Sequence, residues 1–265
     1  MSGAPVSGMQ ARGSRPRWVG GLAGFTSLVA LWYLLAITVL AHKHVLPTPS
    51  AVIAMIFHDP TYALWPALGT TVEEAALGFL WGNALALALA LAFVAVPLLE
   101  RVLLRVVLAT YCMPLIAIGP ILQIVLNGTA PKIALAAMSV LFTTLIGALT
   151  GLRAADPAAL ELVRAYGGGR FVELGKVRLR AALPATFAGL AISGPAALLG
   201  AIIGEYLGAQ AGVGLGIINA EQALNDTRVW AIAVVVTAVA GSAYLVVSVA
   251  GRLLTPWAPH GARGR

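Results

Sequence analysis

Four polar side chains lie within otherwise apolar stretches of this 265-residue chain, and they are the first candidates for chemistry. They are the amides Asn83, Gln123 and Asn127 and the carboxylate Glu205. Polar groups are costly in a hydrocarbon environment, so such residues by default contact a solute or an ion. We therefore interpret these four as candidates for lining a solute pathway.

The spacing leaves different alternatives open for each of them. Gln123 and Asn127 are four apart, which places them on one face of a helix, so they are expected to line such a pathway together. Asn83 either lines it or bonds a neighbouring helix, and the two readings weigh equally. Glu205 lies near the end of an apolar stretch, where a cap or a salt bridge is at least as favoured as contact with solute.

The sequence contains no recognisable catalytic constellation. The single cysteine, Cys112, and the four scattered histidines form no metal-ligand pattern. No apolar stretch holds a Ser/His pair or paired aspartates, and Gly175-Lys176 lacks the glycine spacing of a phosphate-binding loop. We therefore expect no catalytic residue, no metal and no cofactor in this chain, and no enzymatic activity of its own.

The segment from Arg153 to Ala182 holds six of the seventeen basic residues and three acidic ones. Asp156 is a suitable N-cap and Pro157 would occupy the first helical position, so a short amphipathic helix is predicted there. Three glycines at 167–169 break this helix. A second helix is then predicted from apolar residues at helical spacing, namely Phe171, Leu174 and Val177.

The elements that position these residues must be membrane helices. Hydrophobic residues make up 60% of the chain and charged residues 10%, against ~25% in a typical soluble domain. This balance excludes most soluble enzymes and disordered chains. Runs of Leu, Ala and Val with few aromatic residues favour helices over a membrane barrel.

Six segments meet or approach the roughly 20 apolar residues that a transmembrane helix needs. They run over 18–41, 75–97, 106–126, 133–152, 183–207 and 229–254. The third contains Pro114 and Pro120, which remove backbone donors, so a kinked or broken helix is expected there. Close helix packing is expected at three glycine pairs, Gly20/Gly24, Gly147/Gly151 and Gly200/Gly204.

The basic residues indicate the orientation of the chain in the membrane. Fourteen of the seventeen lie on the side of the two chain ends, and the other side has only Lys43, Lys132 and Arg228. By the positive-inside rule, both termini and the 153–182 loop face the cytoplasm. The net charge of +7 is thus a topology signal, and no nucleic-acid partner is expected.

These assignments divide the chain into a cytoplasmic tail (1–17), a first span (18–41), an external segment (42–74), a core of five spans (75–254) and a second cytoplasmic tail (255–265). The apolar stretch 51–57 is too short to cross the membrane, so we predict an interfacial or a packed external helix. Thr70 or Thr71, followed three residues later by Glu73 or Glu74, predicts a capping box that opens the second span.

The 153–182 loop resembles a signature of the permease subunits of bacterial binding-protein-dependent ABC importers, E-A-A-x3-G-x9-I-x-L-P. Glu161, Gly167 and Leu179 fall at matching spacings, and Val177 replaces the isoleucine. The chain departs from the pattern at two places, Leu162-Val163 for the alanine pair and Arg180 for the proline.

The resemblance extends over most of the chain. Within the family, the chain is similar to the branch that transports nitrate, sulfonates and taurine. The segments that carry it are Leu46-Pro47-Thr48-Pro49, Gly78-Phe79-x-x-Gly82, Pro131-Lys132-Ile133, Glu205-x-Leu207-Gly208 and Gly212-x-Gly214. It implies an all-α fold with six transmembrane helices, of the type I ABC importer permease kind, with both termini in the cytoplasm.

The resemblance also implies that the loop couples the membrane helices to an ATPase. Glu161 would cap the bend or pair with basic groups beside it, Gly167 would allow the reversal, and Phe171 and Leu174 would supply an apolar anchor. The implied coupling residues are Glu161, Ala165, Gly167, Gly168, Phe171, Leu174, Val177 and Leu179.

The implied partners are cytoplasmic ABC ATPase subunits that bind ATP and Mg, an external or periplasmic solute-binding protein, and a second, identical permease subunit. The implied location is the inner membrane of a bacterium, and the implied solutes are sulfonates, nitrate, taurine or similar organic anions, or vitamin precursors. Two rival classes are an ion-gradient-driven secondary transporter and an intramembrane enzyme. The first would be expected to show more spans or an inverted repeat, and the second a catalytic set.

Overall fold

The computed structural model describes residues 17–38, 46–59 and 64–258, and within these ranges all regular structure is helical. Most of both tails, residues 39–41 of the first expected span, and Lys43 lie outside the described residues. The helices are α1 (Arg17–Ile37), α2 (Pro49–Phe57), α3 (Leu64–Ala95), α4 (Pro97–Cys112), α5 (Leu115–Val125), α6 (Ala130–Arg153), α7 (Pro157–Ala165), α8 (Arg170–Glu173), α9 (Leu179–Gly208), α10 (Val213–Gln222) and α11 (Asp226–Leu254). A π-helical turn, Leu174–Arg178, joins α8 to α9 without a break.

Among the described residues, five helices are long and apolar enough to cross a membrane, namely α1, α3, α6, α9 with its α8 extension, and α11. The pair α4 and α5 gives a sixth span if it is counted as one, and its two halves meet at an angle of 101°. The break falls at Met113-Pro114, because Pro114 lacks the N–H that would continue α4. The expected interruption of the third span is confirmed at Pro114, whereas Pro120 lies within α5 without ending it.

The second span begins earlier than the sequence predicted. Helix α3 starts at Leu64 and has 32 residues, so it is about 48 Å long, well beyond the ~30 Å of hydrocarbon. The predicted capping box is therefore wrong, since Thr70 and Thr71 lie in the second turn of this helix. The hydroxyl of Thr71 is used in a tertiary contact instead.

Helix α6 lies between α3 and α9 and forms the centre of the core. Glycines permit the close approach on both sides. A Cβ on Gly82 of α3 would lie 2.8 Å from the Cα of Ala137, and one on Gly200 of α9 would lie 2.7 Å from the Cα of Ala136. The predicted packing role is confirmed for Gly147/Gly151 and Gly200/Gly204, whereas nothing in the described chain lies within 4 Å of such a Cβ at Gly20 or Gly24.

Helix α1 lies at the periphery, and most of its residues are exposed. Trp32 attaches it to the rest of the chain, since its Nε1 donates to the Pro47 carbonyl at 3.1 Å and its ring lies 5.6 Å from that of Trp230. Helix α2 packs against α11 and buries Val52, so of the two predicted alternatives it is the packed helix.

Replacing Gly200 with valine should destabilise the protein, because the new side chain would overlap the α6 backbone; overpacking of this kind costs about 1–3 kcal/mol or more. Gly241→Val in α11 is the matched control, since a Cβ there meets nothing within 4 Å. Thermal unfolding of the purified protein in detergent should show a lower Tm for Gly200→Val alone. Equal Tm values for the two variants would contradict the packing argument.

Candidate functional site

The 153–182 loop forms the two-helix unit that the sequence predicted. The Asp156 side chain accepts a hydrogen bond from the Ala158 N–H at 3.0 Å, and Pro157 occupies the first helical position of α7. Gly167 follows with φ +77°, in the left-handed region that glycine adopts without strain. The Gly168 N–H then donates to the Val163 carbonyl at 2.8 Å, which ends α7 and reverses the chain.

A bidentate ion pair holds the two arms of this bend together. Arg164 donates from Nε to Glu173 Oε1 at 2.6 Å and from Nη2 to Glu173 Oε2 at 3.3 Å. The hydrogen bond that Arg164 donates to Glu173 raises the pKa of the Arg164 guanidinium above its usual value. Sequence reasoning expected Glu161 in such a role, but Glu161 is exposed on α7 and the pairing carboxylate is Glu173.

The predicted apolar anchors separate into two groups. Phe171 is 84% exposed and therefore available to a partner, whereas Leu174 packs against the core formed by α3, α6 and α9. Of the other predicted coupling residues, Val177 is half-buried, and Ala165 and Leu179 are exposed. Sequence reasoning missed Tyr166, which is 85% exposed at the end of α7, although Leu162 and Tyr166 stand at the i, i+4 spacing of one helix face.

The loop is connected firmly to three spans. Arg170 donates from Nη2 to the Val94 carbonyl at the end of α3, at 2.9 Å. Arg178 donates from Nη1 to the Leu152 carbonyl at the end of α6, at 3.2 Å. Because α8 continues through the π turn into α9, a displacement of the bend would be passed directly to α9.

Asn83 lies inside the chain, where it joins three helices. Its Nδ2 donates to the Phe79 carbonyl at 2.7 Å, and its Oδ1 accepts from Thr144 at 2.5 Å and from Ser193 at 3.3 Å. The residue is 5% exposed. The contacts thus match the reading in which Asn83 bonds neighbouring helices.

Glu205 is fully buried near the external end of α9 and organises the turn that follows. Its Oε1 accepts from the Thr71 hydroxyl at 2.6 Å, and its Oε2 accepts from the Gly214 N–H at 2.7 Å. A Cβ on Gly212, which has φ +109°, would overlap this carboxylate. The segment Gly212-x-Gly214 therefore needs glycine in order to wrap around Glu205.

A buried ion pair near the same end was missed by sequence reasoning. Lys132 Nζ lies 2.9 Å from Glu74 Oε1, and the two side chains are 9% and 3% exposed. Sequence reasoning assigned Glu73 and Glu74 to a helix cap, so the pairing of Glu74 with α6 was not considered. The only signal was the pair of opposite charges at the external ends of two expected spans.

A cavity of about 470 Å³ opens beside this ion pair. Gln123 and Asn127 both line it, but α5 ends at Val125, so Asn127 lies beyond the helix and the predicted shared helix face is wrong. Their role in a solute pathway stays a prediction. Other lining residues include Thr70, Glu74, Lys132 and Gln210. The structure thus brings Gln123 and Asn127 together, and places Asn83 and Glu205 in the buried interior instead.

Comparison with known proteins assigns the chain to a family. Residues 82–258 match the family model described as "Binding-protein-dependent transport system inner membrane component". The chain belongs to this family. The resemblance to ABC importer permeases is thereby confirmed, and so are the all-helical fold and the multi-pass membrane character.

Two curated relatives are similar over most of this permease. A "Probable ABC transporter permease protein" of Haemophilus influenzae is 32% identical over 73% of this chain and 79% of its own length. The "Putative aliphatic sulfonates transport permease protein SsuC" of Bacillus subtilis is 28% identical over 84% and 82%. A solved structure titled "Crystal structure of an amino acid ABC transporter with histidines" has a TM-score of 0.58 at 16% identity, over 78% of this chain and 98% of that one, and it shows the fold alone.

Lys132→Met should destabilise the permease strongly, since it leaves the Glu74 carboxylate buried without its cation, and such losses cost about 3–5 kcal/mol. The double variant Glu74→Gln/Lys132→Met removes both charges and should recover a large part of that loss. Thermal unfolding in detergent measures both effects. A double variant no more stable than Lys132→Met would show that the pair is not coupled.

Proposed function

We propose that this permease forms the membrane pathway of an ATP-driven importer and couples to a separate ATPase through the 153–182 loop, which is called the coupling loop from here on. One observation carries this proposal. The bend between α7 and α8 projects the exposed side chains of Tyr166 and Phe171, yet it is continuous with α9 and bonded to α3 and α6. A partner that holds the bend can therefore move three spans together.

The coupling residues divide by role under this proposal. Phe171 and Tyr166 supply the apolar contact with the ATPase, and Glu161 adds an exposed carboxylate on α7. Gly167 and Gly168 permit the reversal, and the Arg164–Glu173 pair keeps it rigid. ATP and Mg would bind to the partner ATPase, and this chain would contribute no catalytic residue.

We further propose that two identical copies of the chain enclose the pathway and that an external or periplasmic binding protein delivers the solute. The family name specifies binding-protein-dependent transport in an inner membrane, which supports this partner and a bacterial inner membrane as the location. Exposed apolar side chains on α4 and α5, such as Ile121 and Ile124, offer surface for a second copy or for lipid.

The proposed solute is a small molecule or ion, namely a sulfonate, nitrate, taurine or a similar organic anion, or a vitamin precursor. Relatives of this chain are named for aliphatic sulfonates, riboflavin and formylaminopyrimidine. Gln123 and Asn127 are the proposed pathway residues, since they line the external cavity of about 470 Å³. Uptake should require ATP and should persist when ion gradients are collapsed by ionophores, whereas a secondary transporter would lose uptake under that treatment.

Cross-linking tests where the ATPase docks. In a background with Cys112→Ser, which removes the single cysteine of the chain, Phe171→Cys should cross-link to an ATPase subunit in native membranes. Phe57→Cys is the matched control, since Phe57 is 70% exposed but lies at the end of α2, which the orientation places outside. Cross-linking of neither variant to an ATPase, or of both, would overturn the docking assignment.

Gly167→Val should abolish solute-stimulated ATP hydrolysis of the assembled transporter while membrane insertion is retained. A β-branched residue is strained at φ +77°, so the bend must change its shape. Gly169→Val is the control, because Gly169 has an extended conformation and a Cβ there meets nothing within 4 Å. Stimulated hydrolysis and insertion are measured side by side, and normal coupling in Gly167→Val would contradict the proposal.

A further inference from the structure

A cavity of about 640 Å³ lies between the coupling loop and the junction of α3 with α4. Four arginines line it, Arg153, Arg164, Arg170 and Arg178, and two glutamates, Glu100 and Glu173, accompany them. The charged lining therefore carries a net charge of +2. Phe171, which the proposed ATPase contact also uses, is one of its lining residues, whereas Tyr166 is not.

The arginines are held in place by the fold. Arg170 and Arg178 bond the carbonyls at the ends of α3 and α6, and Arg164 and Arg153 pair with Glu173 and Glu100. A guanidinium has five N–H donors, and each of these contacts uses one or two of them. The side chains of Arg153 and Arg164 remain 54% and 61% exposed, so donors stay available at the cavity.

We propose that this cavity binds the phosphate group of an anionic phospholipid from the cytoplasmic leaflet. Guanidinium groups match phosphate oxygens in geometry and charge. The cavity lies beside the end of α3 at Ala95 and just before α9 begins, where two apolar helices meet the charged coupling loop. Basic pockets between transmembrane helices on this side of a membrane suit such headgroups.

The surroundings of the cavity fit a lipid better than a free anion. The apolar part of its lining consists of Phe93, Val94, Ala95, Pro97, Phe171 and Leu174. Leu98, in the first turn of α4, is 69% exposed beside it. A lipid could therefore place its phosphate among the arginines and its glycerol and acyl chains against apolar surface, which links α4 to the coupling loop.

The inference rests on the cytoplasmic placement of the coupling loop, which the proposed function also requires. It does not require ATP, a partner or a solute, so lipid binding can be tested with the full chain alone. Failure of lipid binding would leave the ATPase assignment unaffected, and loss of the ATPase contact would leave lipid binding measurable.

The test compares the wild-type chain with Arg153→Gln/Arg170→Gln, and with Arg105→Gln/Arg252→Gln as a control of equal charge change outside the cavity. Each protein is placed in nanodiscs of phosphatidylcholine with or without phosphatidylglycerol, and retained lipid is measured by native mass spectrometry. Size-exclusion profiles and Tm in pure phosphatidylcholine establish that the variants fold.

The cavity variant should bind phosphatidylglycerol about tenfold more weakly or worse, because each charge-assisted hydrogen bond to an anion accounts for at least that factor. The control should bind like the wild type. Equal retention by all three proteins would overturn the proposal. Inorganic phosphate titrated into phosphatidylcholine discs is the second arm, and a Tm rise there without retention of phosphatidylglycerol would assign the cavity to a free anion and overturn the lipid.

Discussion

The membrane interior offers no water to a polar group, and this constraint organises the contacts between α3, α6 and α9. Asn83 bonds Thr144 and Ser193, so that one amide joins all three helices. The Glu74–Lys132 pair joins α3 to α6, and Glu205 joins α9 to α3 through Thr71. Each contact satisfies groups that would otherwise be costly, and the helices reach one another because glycines leave room for close backbone contact.

Under the proposed coupling, these three tightly bonded helices would allow the short loop to act on a whole span. The coupling loop is held to α3 by Arg170 and to α6 by Arg178, and it runs into α9 without a hinge. At the other end of the same three helices, Glu205 fixes the turn that leads into α10. The two ends of these helices are therefore joined by packed helix, so under the proposed coupling a motion imposed at the loop would reach the turn at Glu205.

Features that depend on neighbouring residues were predictable from the sequence, and features that depend on distant pairing were not. Asp156 caps α7 and Pro114 ends the run of α4, because caps and proline breaks act within one helical turn. In contrast, Thr71 meets Glu205 across 134 residues and Lys132 meets Glu74 across 58. A local pattern such as Thr-x-x-Glu is compatible with a helix cap. In the structure, Thr71 and Glu74 lie inside α3 and bond Glu205 and Lys132, and the local pattern does not reveal these distant partners.

The few charged residues of the chain are arranged differently on the two predicted sides of the membrane. On the external side, the described cations Lys132 and Arg228 are each paired with a buried carboxylate, Glu74 and Asp59. On the cytoplasmic side, the arginines near the coupling loop outnumber the carboxylates beside them. These two external cations are thus neutralised within the fold. The excess of positive charge at the coupling loop matches the positive-inside rule and is the charge that the proposed lipid site uses. Under that proposal, the asymmetry that orients the chain would also supply its lipid-binding surface.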